Sequence, residues 1–198
     1  MMRTDSSKQP HDVQEPGNLE KHQLLDARQI TTAVEQMAAA IIEHCPGHLP
    51  LAIVGIQTRG VPLARRLLAI IREQRADTFF GTLDISLYRD DLDNLGTIPA
   101  IKGSDIPFDA NGCQVVLVDD VLFTGRTIHA SIDALMDYGR PRRIELAALV
   151  DRGNREIPIA ATYRGLEVAT SREDYVTVRL RESDPEETEE AVLLRPAT

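Results

Sequence analysis

The run from Val115 to Thr127 constrains this chain more than any other segment. Val115, Val116, Leu117 and Val118 are apolar without alternation, the pattern of a strand buried on both faces. Asp119 and Asp120 stand at its carboxyl end. A short loop with Thr124, Gly125 and Thr127 follows, and Ile128 to Tyr138 then reads as a helix. A loop that opens a helix points unpaired backbone N–H groups outward, and the helix dipole adds positive potential there. The segment Leu122, Phe123, Thr124, Gly125, Arg126 and Thr127 is therefore expected to cradle a phosphate. Gly125 lets the backbone approach the anion, and the Thr124 and Thr127 hydroxyls can donate to it.

Asp119 and Asp120 would repel a phosphate, so they serve something else. Neutral hydroxyls or a hydrated metal ion suit them. A ligand with a phosphate at one end and vicinal hydroxyls nearby is a ribose 5-phosphate. The plain alternative is a buried strand whose acids cap the next helix. The register of strand, paired acids and Thr-Gly-x-Thr loop weighs against it.

The same strand-then-helix pattern recurs. Asp26 with Gln29 forms a capping-box signature, and Ile30, Ala33, Val34, Met37 and Ile41 give one apolar helical face ending at Pro46-Gly47. Leu51 to Ile56 reads as a short buried strand. Thr58-Arg59-Gly60 follows it abruptly, and Pro62 suits the first turn of a helix running to about Arg75. Phe79 to Tyr88 reads as a strand, residues 89–109 as a long mobile loop or a hairpin, and Ile144 to Val150 as another buried strand. Shorter strand candidates lie around Glu167–Ala169 and Tyr175–Leu180. Apolar strands alternating with helices predict an α/β fold, a parallel sheet with helices on both faces. Ligands of such sheets bind at the carboxyl ends of the strands, so loops 57–60 and 119–127 should line one crevice. An Arg beside a Gly in a tight loop presents guanidinium and backbone N–H groups to an anion.

The chain has 198 residues, enough for one domain with a sizeable core. Residues 1–22 are polar and are expected to be disordered, without the apolar run of a secretory signal. The domain is expected over 23–182. Residues 183–198 are read as a solvated acidic tail, since Glu182, Asp184, Glu186, Glu187, Glu189 and Glu190 crowd into nine positions. Net charge is 22 − 31 = −9, which disfavours polyanionic partners. No apolar run reaches the roughly 18 residues of a membrane span. Two cysteines, Cys45 and Cys113, without metal-ligand company read as free thiols in a reducing cytoplasm.

The Val115–Thr127 segment resembles the 5-phosphoribosyl-1-pyrophosphate (PRPP) motif of type I phosphoribosyltransferases. A sharper resemblance comes from Gly55-Ile56-Gln57-Thr58-Arg59-Gly60, Leu87-Tyr88-Arg89-Asp90-Asp91-Leu92, Asp105-Ile106-Pro107, Gly139-Arg140-Pro141 and the run Leu149 to Pro158. Together these are similar to the PyrR family, pyrimidine operon attenuators with uracil phosphoribosyltransferase activity, over about residues 24–182. The resemblance implies the parallel-sheet type I phosphoribosyltransferase fold with a flexible lid loop and a small hood. It implies transfer of ribose 5-phosphate from PRPP to N1 of uracil, giving UMP and pyrophosphate. Asp119 and Asp120 would hold the ribose hydroxyls, and Arg59 joins them as catalytic. Thr58, Arg59, Gly60 and Arg89 would take pyrophosphate. Tyr88, Arg89, Asp90 and Asp91 would form the lid, and Asp151, Arg152 and Gly153 the hood over uracil. Mg2+ would act through PRPP and water, with no direct protein ligand. Homodimers or homotetramers are implied as well.

The attenuators also bind pyrimidine-operon mRNA through a basic face drawn from the first helix. Here the outward positions Thr31, Thr32, Glu35, Gln36, Ala39, Ala40 and Glu43 carry no cation, and Arg28 stands alone nearby. Ala160 and Leu166 fall where the family pattern puts basic residues, leaving Arg155 and Arg164. Cations supply most of nucleic-acid affinity, so mRNA binding is expected to be weak. The alternative is a uridine-nucleotide sensor that regulates the operon with little or no turnover.

Overall fold

The computed structural model describes residues 21–85, 103–186 and 189–197. Strand β1 (His22–Asp26) leads into helix α1 (Ala27–His44), then β2 (Leu51–Ile56), α2 (Gly60–Arg72), β3 (Phe79–Leu83), β4 (Gln114–Leu122), α3 (Arg126–Met136), β5 (Arg143–Asp151), β6 (Tyr163–Glu167), β7 (Tyr175–Arg179) and β8 (Ala191–Arg195). Five strands form an all-parallel sheet in the order β3-β2-β4-β5-β6. A second, antiparallel sheet has the order β1-β8-β7.

Side chains alternate across a strand, so each parallel strand feeds two cores. Ile53, Val116, Val118, Ala147 and Leu149 pack against α1 and α2 with Ile30, Val34, Met37, Leu63 and Leu67. Ala52, Val54, Val115, Leu117, Leu146 and Ala148 face α3 through Ile128 and Leu135. This is why the strands read as continuous apolar runs. The capping box forms: Asp26 accepts from the Gln29 N–H at 2.8 Å, and the Gln29 side chain accepts from the Asp26 N–H at 2.9 Å. The predicted stripe of α1 is buried.

Four expectations change. Asp119 and Asp120 do not follow β4 but lie within it, because pairing with β5 continues to Leu122 opposite Asp151. The second part of the long loop is fixed: Thr82 and Asp105 exchange backbone hydrogen bonds of 2.7 and 2.8 Å, and Ile106 is buried. His22 belongs to a strand rather than to a tail. The expected solvated tail is not one where the structure describes it, over 183–186 and 189–197, because β8 runs between β1 and β7 with Val192 fully buried. The lid residues Tyr88, Arg89, Asp90 and Asp91 lie outside the described residues.

Candidate active site

At the carboxyl ends of the parallel strands, β2 and β4 part company. Their pairing ends at Gly55 opposite Val118, after which β2 turns into the loop 57–59. β4 runs on for four residues with only β5 beside it, and this overhang displays Asp119 and Asp120. The loop turns so tightly that α2 begins against the overhang. A Cβ on Gly60 would lie 2.2 Å from the Val118 carbonyl oxygen and 3.2 Å from the Asp119 Cα. Only glycine allows that approach. The peptide between Gln57 and Thr58 is cis.

A cavity of about 420 Å3 opens here, lined by Asp119 and Asp120 of the overhang, by Phe123 and Thr127 where the chain turns into α3, and by Arg59 and Arg152 after β2 and β5. Its far wall is Arg172, Glu173, Asp174 and Tyr175 with the rest of β7. Both carboxylates are buried, and Asp119 Oδ1 accepts the Asp120 N–H at 3.0 Å. Gly125, at φ 94°, caps α3, and its left-handed conformation lets the chain turn from overhang to helix. Thr124 is buried, and its Oγ1 accepts the Arg126 N–H at 3.3 Å. Arg126 turns to Glu156, and Leu122 is wholly in the core.

Arg152 is the cavity's buried cation. Its guanidinium lies 4.1 Å from the centroid of the Phe123 ring and donates to Thr170 Oγ1 at 3.0 Å and to the Ser171 carbonyl at 2.7 Å. Burial pulls its pKa below the usual arginine value, against the pull of Asp174 and Tyr175. Asp151 points elsewhere, accepting from Arg155 at 2.5 Å and from the Gly153 N–H at 3.1 Å. Thr58 lines a smaller cavity of about 300 Å3 with Gln57 and Glu182.

The acidic segment supplies what the sequence reading missed. Arg59 makes a two-point ion pair with Asp184, Nη2–Oδ1 2.6 Å and Nε–Oδ2 3.2 Å. Arg66, nearly two turns into α2, grips Glu182 at 2.6 and 2.9 Å and also Glu190. The Arg66 hydrogen bonds hold the Glu182 carboxyl below its ordinary value. At Glu190 and Asp184 burial pushes upward, yet the bonds from Arg66 and Arg59 and from backbone N–H groups prevail and both are lowered. The signal available in the sequence was Ala191-Val192-Leu193-Leu194, an apolar run just beyond the acids. Arg155, expected on a basic face, spends its guanidinium on the carbonyls of Phe123, Gly153 and Ile159. Arg164 is paired with Glu167 at 2.6 Å.

A phosphoribosyl transferase domain model matches residues 20–183, nearly the whole described fold. Among curated proteins, the bifunctional protein PyrR of Roseiflexus sp. (strain RS-1) is 52% identical over 163 residues, 82% of this chain and 89% of that one. The bifunctional protein PyrR of Thermus aquaticus is 49% identical over 168 residues, 84% and 93% of the two chains. The hypoxanthine phosphoribosyltransferase structure of Trypanosoma cruzi shares the fold, with TM-score 0.64 at 17% identity over 88% of this chain and 97% of that one. The chain belongs to the phosphoribosyltransferase family and, within it, to the PyrR proteins.

Proposed function

We propose that this protein transfers the ribose 5-phosphate of PRPP to N1 of uracil, releasing UMP and pyrophosphate. The observation that carries the reading is one cavity in which two buried carboxylates of the β4 overhang, the loop that opens α3, and arginines after β2 and β5 converge. The loop 122–127 takes the 5-phosphate. Asp119 and Asp120 accept the ribose hydroxyls, and their negative field favours the cationic charge that develops at C1 as pyrophosphate leaves. Arg59, with Thr58 and Gly60, receives the pyrophosphate, and the lid residues Tyr88, Arg89, Asp90 and Asp91 exclude water from the intermediate. Arg152, flanked by Asp151 and Gly153, covers the base.

Among the described residues no group of three or more His, Cys, Asp or Glu side chains is arranged to hold a metal ion. Two carboxylates on one overhang fit an Mg2+ shared with the substrate and water, with Asp119 and Asp120 as its nearest protein groups. When bound, the ion offsets the charge of the departing pyrophosphate. Homodimers or homotetramers and a cytoplasmic location belong to the same reading. Among the described residues no helix is long and apolar enough to cross a membrane.

The relatives' designation as bifunctional supports a second reading, regulation through pyrimidine-operon mRNA. The structure offers that reading little charge. Thr31, Thr32, Glu35, Gln36, Ala39 and Glu43 are exposed on α1, and Arg155 is turned inward. The test is UMP formation from uracil, PRPP and Mg2+, with hypoxanthine as competing base, in wild type and Asp120→Asn. Uracil turnover that falls at least about 100-fold in the variant is expected. Turnover of hypoxanthine in preference to uracil, or full activity in the variant, refutes the assignment.

A further inference from the structure

The phosphate loop owes its shape to the segment packed behind it. Three successive carbonyls of that loop are taken from behind by the segment 151–157. Leu122 O accepts the Arg152 N–H at 3.1 Å, and Thr124 O accepts the Glu156 and Ile157 N–H groups at 2.9 and 3.0 Å. Phe123 O, between them, accepts Arg155 Nη1 at 2.7 Å. The same guanidinium is fixed on the hood side by Asp151 at 2.5 Å, the Gly153 carbonyl at 2.8 Å and the Ile159 carbonyl at 2.9 Å. Arg155 therefore cross-links the loop after the overhang to the loop after β5, with its charge compensated by Asp151.

The peptide unit is planar and trans, so the N–H of each residue points opposite to the preceding carbonyl. Pulling the carbonyls of 122, 123 and 124 backward turns the N–H groups of Phe123, Thr124 and Gly125 forward. Forward N–H groups at a helix N-terminus are what an anion needs, and forward carbonyls would repel it. Arg155 Nη1 also reaches the Leu122 carbonyl, at 3.4 Å, but Leu122 and Thr124 have backbone donors as well, whereas the Phe123 carbonyl is held by the Arg155 side chain. A planar guanidinium suits the task, since one rigid fork reaches acceptors on both loops.

We propose that Arg155 is a positioning residue for the 5-phosphate: it sets the orientation of the Phe123–Thr124 peptide and so the affinity of the loop for the phosphate. This rests on the reading of 122–127 as the phosphate cradle. It predicts a defect specific to the phosphate, not to the base or to folding.

The experiment is calorimetric titration of UMP and of uridine into wild type, Arg155→Met and Arg155→Lys, with thermal unfolding of each. Wild type should bind UMP more tightly than uridine. In Arg155→Met that ratio should shrink by on the order of tenfold, the scale on which supporting hydrogen bonds act on the groups they hold, while the uridine Kd stays within about threefold. Lysine keeps the charge but not the fork, so Arg155→Lys should lie between the two. It decides the matter if the methionine variant does not fold. An unchanged ratio in the folded variants, or an equal loss for UMP and uridine, overturns the positioning role. A wild type that binds UMP no better than uridine removes the cradle itself and this role with it, and that failure shows before any variant is measured.

Discussion

Gly60→Ala is a one-carbon change that should disturb both stability and chemistry. The added Cβ would stand 2.2 Å from the Val118 carbonyl oxygen, with the Val118 carbonyl carbon at 3.1 Å and the Asp119 Cα at 3.2 Å. All three are backbone atoms of a central strand, so no side chain can swing aside. Ordinary van der Waals contact requires the loop and the overhang to separate by about 1 Å. Forced packing of this kind costs about 1–3 kcal/mol, more than the ~1 kcal/mol that alanine gains over glycine in a helix. For a domain of this size, each kcal/mol lowers Tm by about 2–4 °C, so the packing cost corresponds to a drop of roughly 2–12 °C, less the few degrees that the helix gain returns. The groups on either side of the contact are Arg59 and Asp119, and a 1 Å error in placement can cost on the order of 100-fold in rate. Thermal unfolding and kcat/KM for PRPP measure the two effects. Gly47→Ala is the control, because no atom lies within 4 Å of a Cβ at Gly47. A Gly60→Ala protein that melts with wild type and keeps kcat/KM within twofold refutes the argument that this close approach sets the site.

Two further outcomes follow from the buried and paired charges. Glu145 is buried and its Oε2 accepts from Gln114 Nε2 and from Tyr163 OH, both at 2.7 Å. Tyr163→Phe strips a partner from a buried carboxylate and should cost about 1–3 kcal/mol in urea unfolding; a variant as stable as wild type contradicts this. Glu182, Asp184 and Glu190 have folded pKa values below their ordinary 4.5, 3.8 and 4.5. Their contribution is therefore complete above about pH 4.5 and is lost as pH falls through the lowered values. Arg66→Met removes the Glu182 and Glu190 share, so its Tm should fall less steeply than that of wild type under acid. Parallel Tm-against-pH curves would show that the clamp contributes nothing.

Local pattern along the chain was enough to settle the parallel sheet, the helices on both faces and the identity of the cavity's central residues. Those features rest on local causes: unbroken apolar runs, a 3.6-residue stripe, a capping box, and a Thr-Gly turn into a helix. Asp119, Asp120, Arg59 and Thr127 were legible for that reason, Arg152 only through the family resemblance, and they meet in one cavity. The rest came from long-range packing. The acids stand on a strand overhang rather than past a strand end, because where β4 ends depends on β5 continuing beside it after β2 has turned away. An acidic end that looked solvated became a β-strand and two arginine clamps. Pairing β1 with β8, and Arg59 with Asp184 at 125 positions' remove, depends on partners that no local window contains. Arg155 looked like a surface cation, and only the packing of two loops showed it bound to backbone carbonyls. Periodicity records which face of an element is dry. Which long side chain reaches which carbonyl is settled only when the chain has closed.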